Sequence, residues 1–241
     1  LNLLSSIIHM NSKLQKKTSN TDKSQSFIRN YEQFFSSLKT KKTALLELGV
    51  FKGGSILMWG NYFKNGTIVG IDINNLDIEL PPNVHFELGD QRDKQFLQKT
   101  SEKYTKGGFD IIIDDASHYA NFTEATLLIC FPNLLKSGGI YVIEDWGTGY
   151  WSDWSDWENF YLSEDHISYK LRQNYQFNSN YEYPYKKSYC SHNIGMVGLG
   201  KQLLDELSIE DIKHSNKQMV KYKPMIESMF FANGQIFIFK K

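Results

Sequence analysis

The chain predicts a Rossmann-like, doubly wound α/β fold: a mostly parallel seven-stranded sheet with a C-terminal antiparallel hairpin and a lid inserted after the fifth strand. Three observations predict it. From about residue 44 onward, short aliphatic runs alternate with helical stretches, the pattern of repeated βα units joined by right-handed crossovers. Two of the runs end in paired carboxylates: Ile111, Ile112 and Ile113 lead into Asp114 and Asp115, and Ile140 to Ile143 lead into Glu144 and Asp145. Buried parallel strands behave this way when they deliver polar groups to their C-terminal edge. Lastly, Asn233-Gly234 stands between two apolar runs, which marks a hairpin turn.

The elements follow in chain order. Residues 1–42 read as a basic leader with one helix. Between Lys13 and Lys42 lie eight basic and two acidic residues, and Phe27, Tyr31, Phe34, Phe35 and Leu38 recur at helical spacing. That stripe reads as packing, and the charge as a solvated face. Residues 43–241 form the main domain. Its strands are expected near Ala44 to Leu48, Thr67 to Ile73, Val84 to Leu88, Phe109 to Asp114 and Gly139 to Glu144. Helices are expected after Gly53, from about Asp93 to Lys103, and near Phe122 to Leu135. Asn65-Gly66, Pro81-Pro82 and Ser137-Gly138-Gly139 supply the breaks. From about 146 to 193 the alternation gives way to Trp-, Tyr-, Ser- and Asn-rich sequence, which reads as the lid. A helix from Val197 to Leu207 and the terminal hairpin complete the domain.

Composition narrows the function. A length of 241 residues suits one α/β domain with an insertion. With 27 basic and 27 acidic residues the chain has no net charge, which argues against nucleic acid and favours a small-molecule or glycan acceptor. Cys130 and Cys190 form no disulfide framework, so a reduced, cytoplasmic setting is expected. Leu1 to Met10 is apolar but too short to span a membrane and has no basic lead. Self-association into a homo-oligomer is left open.

The chemistry gathers at the expected C-terminal edge of the sheet, where open α/β sheets bind ligands. Glu47-Leu48-Gly49 through Gly53-Gly54-Ser55 joins the first strand to its helix, and its glycines let backbone approach a ligand at a helix N-terminus. Asp72 ends the second strand, where a carboxylate can accept both hydroxyls of a ribose. Asp90 and Gln91 follow the third strand, where an adenine edge would lie. The loop lacks the Gly-x-Gly-x-x-Gly spacing that seats a pyrophosphate, which favours S-adenosylmethionine over a dinucleotide. The clustered carboxylates suggest a hard cation such as Mg²⁺. His118, three residues after Asp115, is the candidate base. Asp114 is read as contacting the cofactor or buttressing the metal ligands, and Trp151, Trp154 and Trp157 as stacking on a sugar or packing the lid. His9, His85, His166, His192 and His214 stand in no such carboxylate constellation and are given no role.

These motifs, with Ile143-Glu144-Asp145 and Tyr150-Trp151, resemble the metal-dependent class I methyltransferases of the macrocin and mycinamicin sugar O-methyltransferase type, from about Leu45 to the C-terminal hairpin. The resemblance implies S-adenosylmethionine bound along Glu47, Gly49, Gly53, Ser55, Asp72 and Asp90. It further implies Mg²⁺ held by Asp115, Glu144 and Asp145, and His118 as base for a sugar hydroxyl of a natural product or surface glycan. The arrangement is also similar to catechol O-methyltransferases, which place a lysine where this chain has His118. A phenolic acceptor, the cephalosporin-hydroxylase-like group and a non-catalytic S-adenosylmethionine-binding scaffold are the rival readings. A base set among metal-binding carboxylates argues against the last.

Overall fold

The computed structural model describes residues 21–161, 163, 164, 166–172, 188–215, 221 and 223–241. Helix α1 (Gln25–Phe35) comes first, its N-terminus capped by Ser24, whose Oγ accepts from the Phe27 amide at 3.3 Å. Then follow β1 (Ala44–Leu48), α2 (Gly54–Tyr62), β2 (Thr67–Asp72), β3 (Val84–Leu88), α3 (Lys94–Tyr104), β4 (Phe109–Asp114), α4 (Ala120–Asn133) and β5 (Leu135–Glu144). A 3₁₀ turn (Trp146–Tyr150) and the short α5 (Ile167–Lys170) occupy the lid region; residues 162, 165 and 173–187 of the expected lid lie outside the described residues. Helices α6 (Gly195–Leu207) and α7 (Ile209–Ser215) lead to the hairpin β6 (Ile226–Ala232) and β7 (Gln235–Lys240).

The seven strands form one sheet in the order β3-β2-β1-β4-β5-β7-β6. The first five are parallel, and β7 enters antiparallel beside β5. This is the architecture expected from the sequence.

The two-residue period of the strands explains why the sheet is covered on both faces. On one face Leu46, Leu48, Ile112, Tyr141 and Ile143 pack with Leu97 of α3 and Leu127, Cys130 and Phe131 of α4. On the other, Leu45, Ile68, Ile111, Ile113, Val142 and Phe237 pack with Ile56 and Trp59 of α2 and with Ile28, Tyr31 and Phe35 of α1. Each such fully buried side chain contributes roughly 1.5–3 kcal/mol of transfer free energy. The leader helix is thus a layer of the core.

One expected break is absent. Strand β5 runs through Ser137-Gly138-Gly139, and its pairing with β4 shifts register between Phe109 and Ile111 instead of ending. The surplus residues of β5 form a bulge, which the positive φ of Gly138 (72°) permits.

Strand order reverses between β1 and β4. There the loops leaving the two strands diverge, and a crevice opens. Gly49 sits in it with φ +85°, and a Cβ placed there would lie 2.1 Å from the Asp115 carbonyl oxygen.

Candidate active site

A cavity of about 660 Å³ occupies this crevice, lined among others by Gly49, Val50, Phe51, Ser55, Asp72, Ile73, Gly89, Gln91, Asp115 and Ser117. Of the residues expected to hold cofactor, Gly49, Ser55, Asp72 and Gln91 face it. Asp72 Oδ2 accepts from the Val50 and Phe51 amides at 2.9 and 3.0 Å, and Oδ1 from the Asn74 amide at 2.8 Å. Burial pushes this carboxyl up, but the backbone donors outweigh it and hold it below the usual range. Asp72 therefore fastens the glycine loop to the end of β2 while lining the cavity.

The other four lie off the lining. Glu47 is fully buried, accepting from Ser55 Oγ at 2.7 Å and Trp59 Nε1 at 3.3 Å. Gly53 precedes α2 with φ +82°. Asp90 turns toward solvent, bound through Oδ2 to Arg92 at 2.6 Å. Asp114 is buried beneath the rim, contacted by Tyr141 Oη at 3.2 Å and Gln91 Nε2 at 3.3 Å, and burial pushes its carboxyl up to about 7.

Asp115, at the cavity edge, also belongs to a second constellation. Its carboxylate, His118 and Asp145 each offer one ligand atom, all within 4.8 Å of one another. His118 Nε2 stands 3.8 Å from Asp115 Oδ1 and from Asp145 Oδ2, too far for hydrogen bonds and suitable for convergence on a shared centre. The two carboxylate oxygens fit a hard divalent cation, and the imidazole stands beside them with its Nε2 lone pair available as a base. Desolvation lowers the His118 pKa from its ordinary value, although Asp145 and Glu144 pull the other way, so the imidazole is neutral at pH 7.

The backbone here is strained, with φ of 54° at His118 and 52° at Asp145. Partners hold both residues in place. Thr148 Oγ1 and Trp154 Nε1 donate to the His118 carbonyl at 3.1 and 3.0 Å, and the Asp145 amide donates to the Gly234 carbonyl at 2.6 Å. Trp154 thus serves the lid–rim contact, whereas Trp151, set edge-on against it, is exposed.

Glu144 is placed differently from its sequence neighbour. It is buried, and its Oε1 accepts from Tyr31 Oη and from Lys23 Nζ, the latter at 2.7 Å. Lys23 Nζ also lies 2.7 Å from Asp115 Oδ2 and 3.5 Å from Glu47 Oε1. Burial would lower the lysine pKa, but Glu144, Asp115 and Glu47 together raise it well above its usual value, so it stays an ammonium. Burial in turn pushes Asp115 and Glu144 above the ordinary carboxylate range, with Lys23 opposing.

Lys23 and Tyr31 are the site residues that sequence reasoning missed. Tyr31 lay in a stripe read as core, and Lys23 in a basic run read as solvated. No local signal marks either, because their partners are 92 to 121 residues away in the chain.

No family model matches the chain. Curated relatives do, among them three sugar O-methyltransferases. Mycinamicin VI 2''-O-methyltransferase of Micromonospora griseorubida is 35% identical over 52% of this chain and 32% of its own length. Demethylmacrocin O-methyltransferase of Streptomyces fradiae is 33% identical over 52% of this chain and 33% of its own. A tetracenomycin rhamnosyl 3'-O-methyltransferase of Streptomyces olivaceus is 38% identical over 50% and 32% respectively. The matches thus span about a third of these relatives' length. In fold, the MycE methyltransferase of the mycinamycin pathway, solved with Mg and SAH, superposes with a TM-score of 0.69 at 24% identity, over 95% of this chain and 54% of MycE. By sequence over half its length and by fold over nearly all of it, the chain resembles the macrocin and mycinamicin sugar O-methyltransferases.

Proposed function

We propose that the chain is an S-adenosylmethionine- and Mg²⁺-dependent O-methyltransferase acting on a sugar hydroxyl of a glycosylated natural product or surface glycan. One observation carries the reading: Asp115 is shared between the crevice cavity and the Asp115–His118–Asp145 constellation, so a ligand in the first would meet chemistry in the second. Its relatives' names supply the acceptor class.

Gly49, Ser55, Asp72 and Gln91 would hold the cofactor, which supplies a methyl group on a sulfonium. Asp115 and Asp145, with Glu144 if its present partners release it, would hold the cation, which lowers the cost of deprotonating a hydroxyl. His118 is the base. Its neutral imidazole accepts the hydroxyl proton at Nε2, the nitrogen facing both carboxylates. Thr148 and Trp154 hold it against recoil through its carbonyl. On the lid side, exposed Trp151 would offer an aromatic face to the acceptor.

The same reading divides the chain into a leader (1–42) and a methyltransferase domain (43–241) with its lid at about 146–193. It also assigns a cytoplasmic setting and no nucleic-acid partner. Among the described residues, no helix is long and apolar enough to cross a membrane.

The test is transfer of a labelled methyl group from S-adenosylmethionine, with Mg²⁺, to glycosides such as mycinamicin VI or demethylmacrocin. Transfer to the sugar that stops on chelation is the expected result. Transfer to catechols alone would favour the phenolic reading, and failure of the chain to bind S-adenosylhomocysteine would remove both.

A further inference from the structure

Lys23 is a lysine with 3% side-chain exposure, and its ammonium sits equidistant, at 2.7 Å, from Asp115 Oδ2 and Glu144 Oε1. Lysines are seldom buried without such pairing. We propose that Lys23 is the resident cation of this carboxylate cluster, and that a divalent ion must displace it to take Asp115 and Glu144. The inference rests on the metal reading above.

Asp115 joins the two sides of the cluster, because each of its oxygens serves one of them. Oδ2 binds Lys23, while Oδ1 faces His118 and, through it, Asp145. A divalent ion with oxygen ligands at about 2.1 Å would share Asp115 with the ammonium only a few ångströms away. In a largely dehydrated pocket that repulsion is weakly screened, so the two cations exclude each other. With Lys23 gone, Glu144 Oε1 loses a donor but keeps Tyr31, and it can turn toward the ion.

The structure also indicates which part can move. Helix α1 is pinned: Tyr31 and Phe35 are buried, Phe34 packs on Phe237 with centroids 4.7 Å apart, and Asn30 Nδ2 donates to Gln235 at 2.9 Å. Lys23 lies just before the Ser24 cap, outside these contacts, on a flexible four-carbon stem. Its neighbour Asp22 lines the crevice cavity.

Two measurements on the full chain test this. Mn²⁺ affinity, read by electron paramagnetic resonance of the free ion, is expected to be at least tenfold tighter in Lys23→Met than in the parent. Lys23→Arg, which keeps a cation in place, should bind no tighter than the parent. Independently, trypsin can cleave after Lys23 only when its side chain leaves the cluster, so saturating Mg²⁺ should speed that cut in the parent at least tenfold, as identified by mass spectrometry. Unchanged or weaker Mn²⁺ affinity in Lys23→Met, or a cut indifferent to Mg²⁺ in a parent that binds Mn²⁺, would overturn the displacement while leaving the metal reading intact. If neither parent nor variant bound Mn²⁺, both would fall. Should Lys23→Met not fold, the cleavage experiment on the parent decides alone.

Discussion

His118 and Asp72 show how far a residue's neighbours determine what it can do. Burial keeps the His118 imidazole neutral below its ordinary pKa of about 6.5, so turnover should persist to mildly acidic pH and then fall as the ring protonates. His118→Ala should lose roughly a hundredfold or more in turnover while keeping metal and cofactor affinity, and its residual activity should lack that acid limb. Rapid-quench methyl transfer across pH, at saturating Mg²⁺, checks both. For Asp72 the folded carboxyl lies below its unfolded value, so its contribution to stability is present above about pH 4 and fades as pH falls through the folded pKa. Asp72→Asn should flatten the acid side of the pH–stability curve measured by urea melts, and weaken binding of S-adenosylhomocysteine in calorimetry. At this scale the sequence was legible where a side chain answers to its own strand end. Asp115, His118 and Asp145 come together because adjacent parallel strands end at one rim. It was silent on Lys23 and Tyr31, whose roles exist only once a helix from the far end of the chain docks.

Among the elements, the loop after β1 and the terminal hairpin are each held by a single conformational requirement. Gly49→Ala would need φ +85° from an alanine and would drive its Cβ into the Asp115 carbonyl, so the loop, Asp115 or both must shift. We expect a loss of about 2 kcal/mol or more in chemical denaturation, together with weakened Mn²⁺ binding, since Asp115 is displaced. Gly234 has φ +74°, and a Cβ there would meet the Phe27 ring at 2.5 Å. Gly234→Ala should therefore destabilise by about 1 kcal/mol or more and loosen Asp145, whose amide rests on the Gly234 carbonyl. The Asn-Gly hairpin and the βα alternation were legible because turn chemistry and hydrophobic period are local. Gly138-Gly139 misled for the same reason: glycines mark a bulge as readily as a stop, and only the partner strand decides which.

For the whole molecule, the carboxylates of the site are borne by β1, β4 and β5, but they are completed from outside those strands, by α1 on one side and the hairpin turn on the other. Mg²⁺ should raise the melting temperature of the parent by mass action on the folded state alone, and chelator should reverse it. In Asp145→Asn the increment should shrink; an undiminished shift in calorimetric scans would mean the ion binds elsewhere. The insertion of β7 between β5 and β6 has a consequence for how the protein is made. Since β7 is translated long after β5, a nascent chain that already displays Asp115, Glu144 and Asp145 still lacks the Gly234 carbonyl that anchors the last of them and the Phe237 surface that α1 packs against. The site can therefore close only once β7 has been synthesised, and ribosome-stalled chains ending ahead of β6 should capture no Mn²⁺ however long they are held.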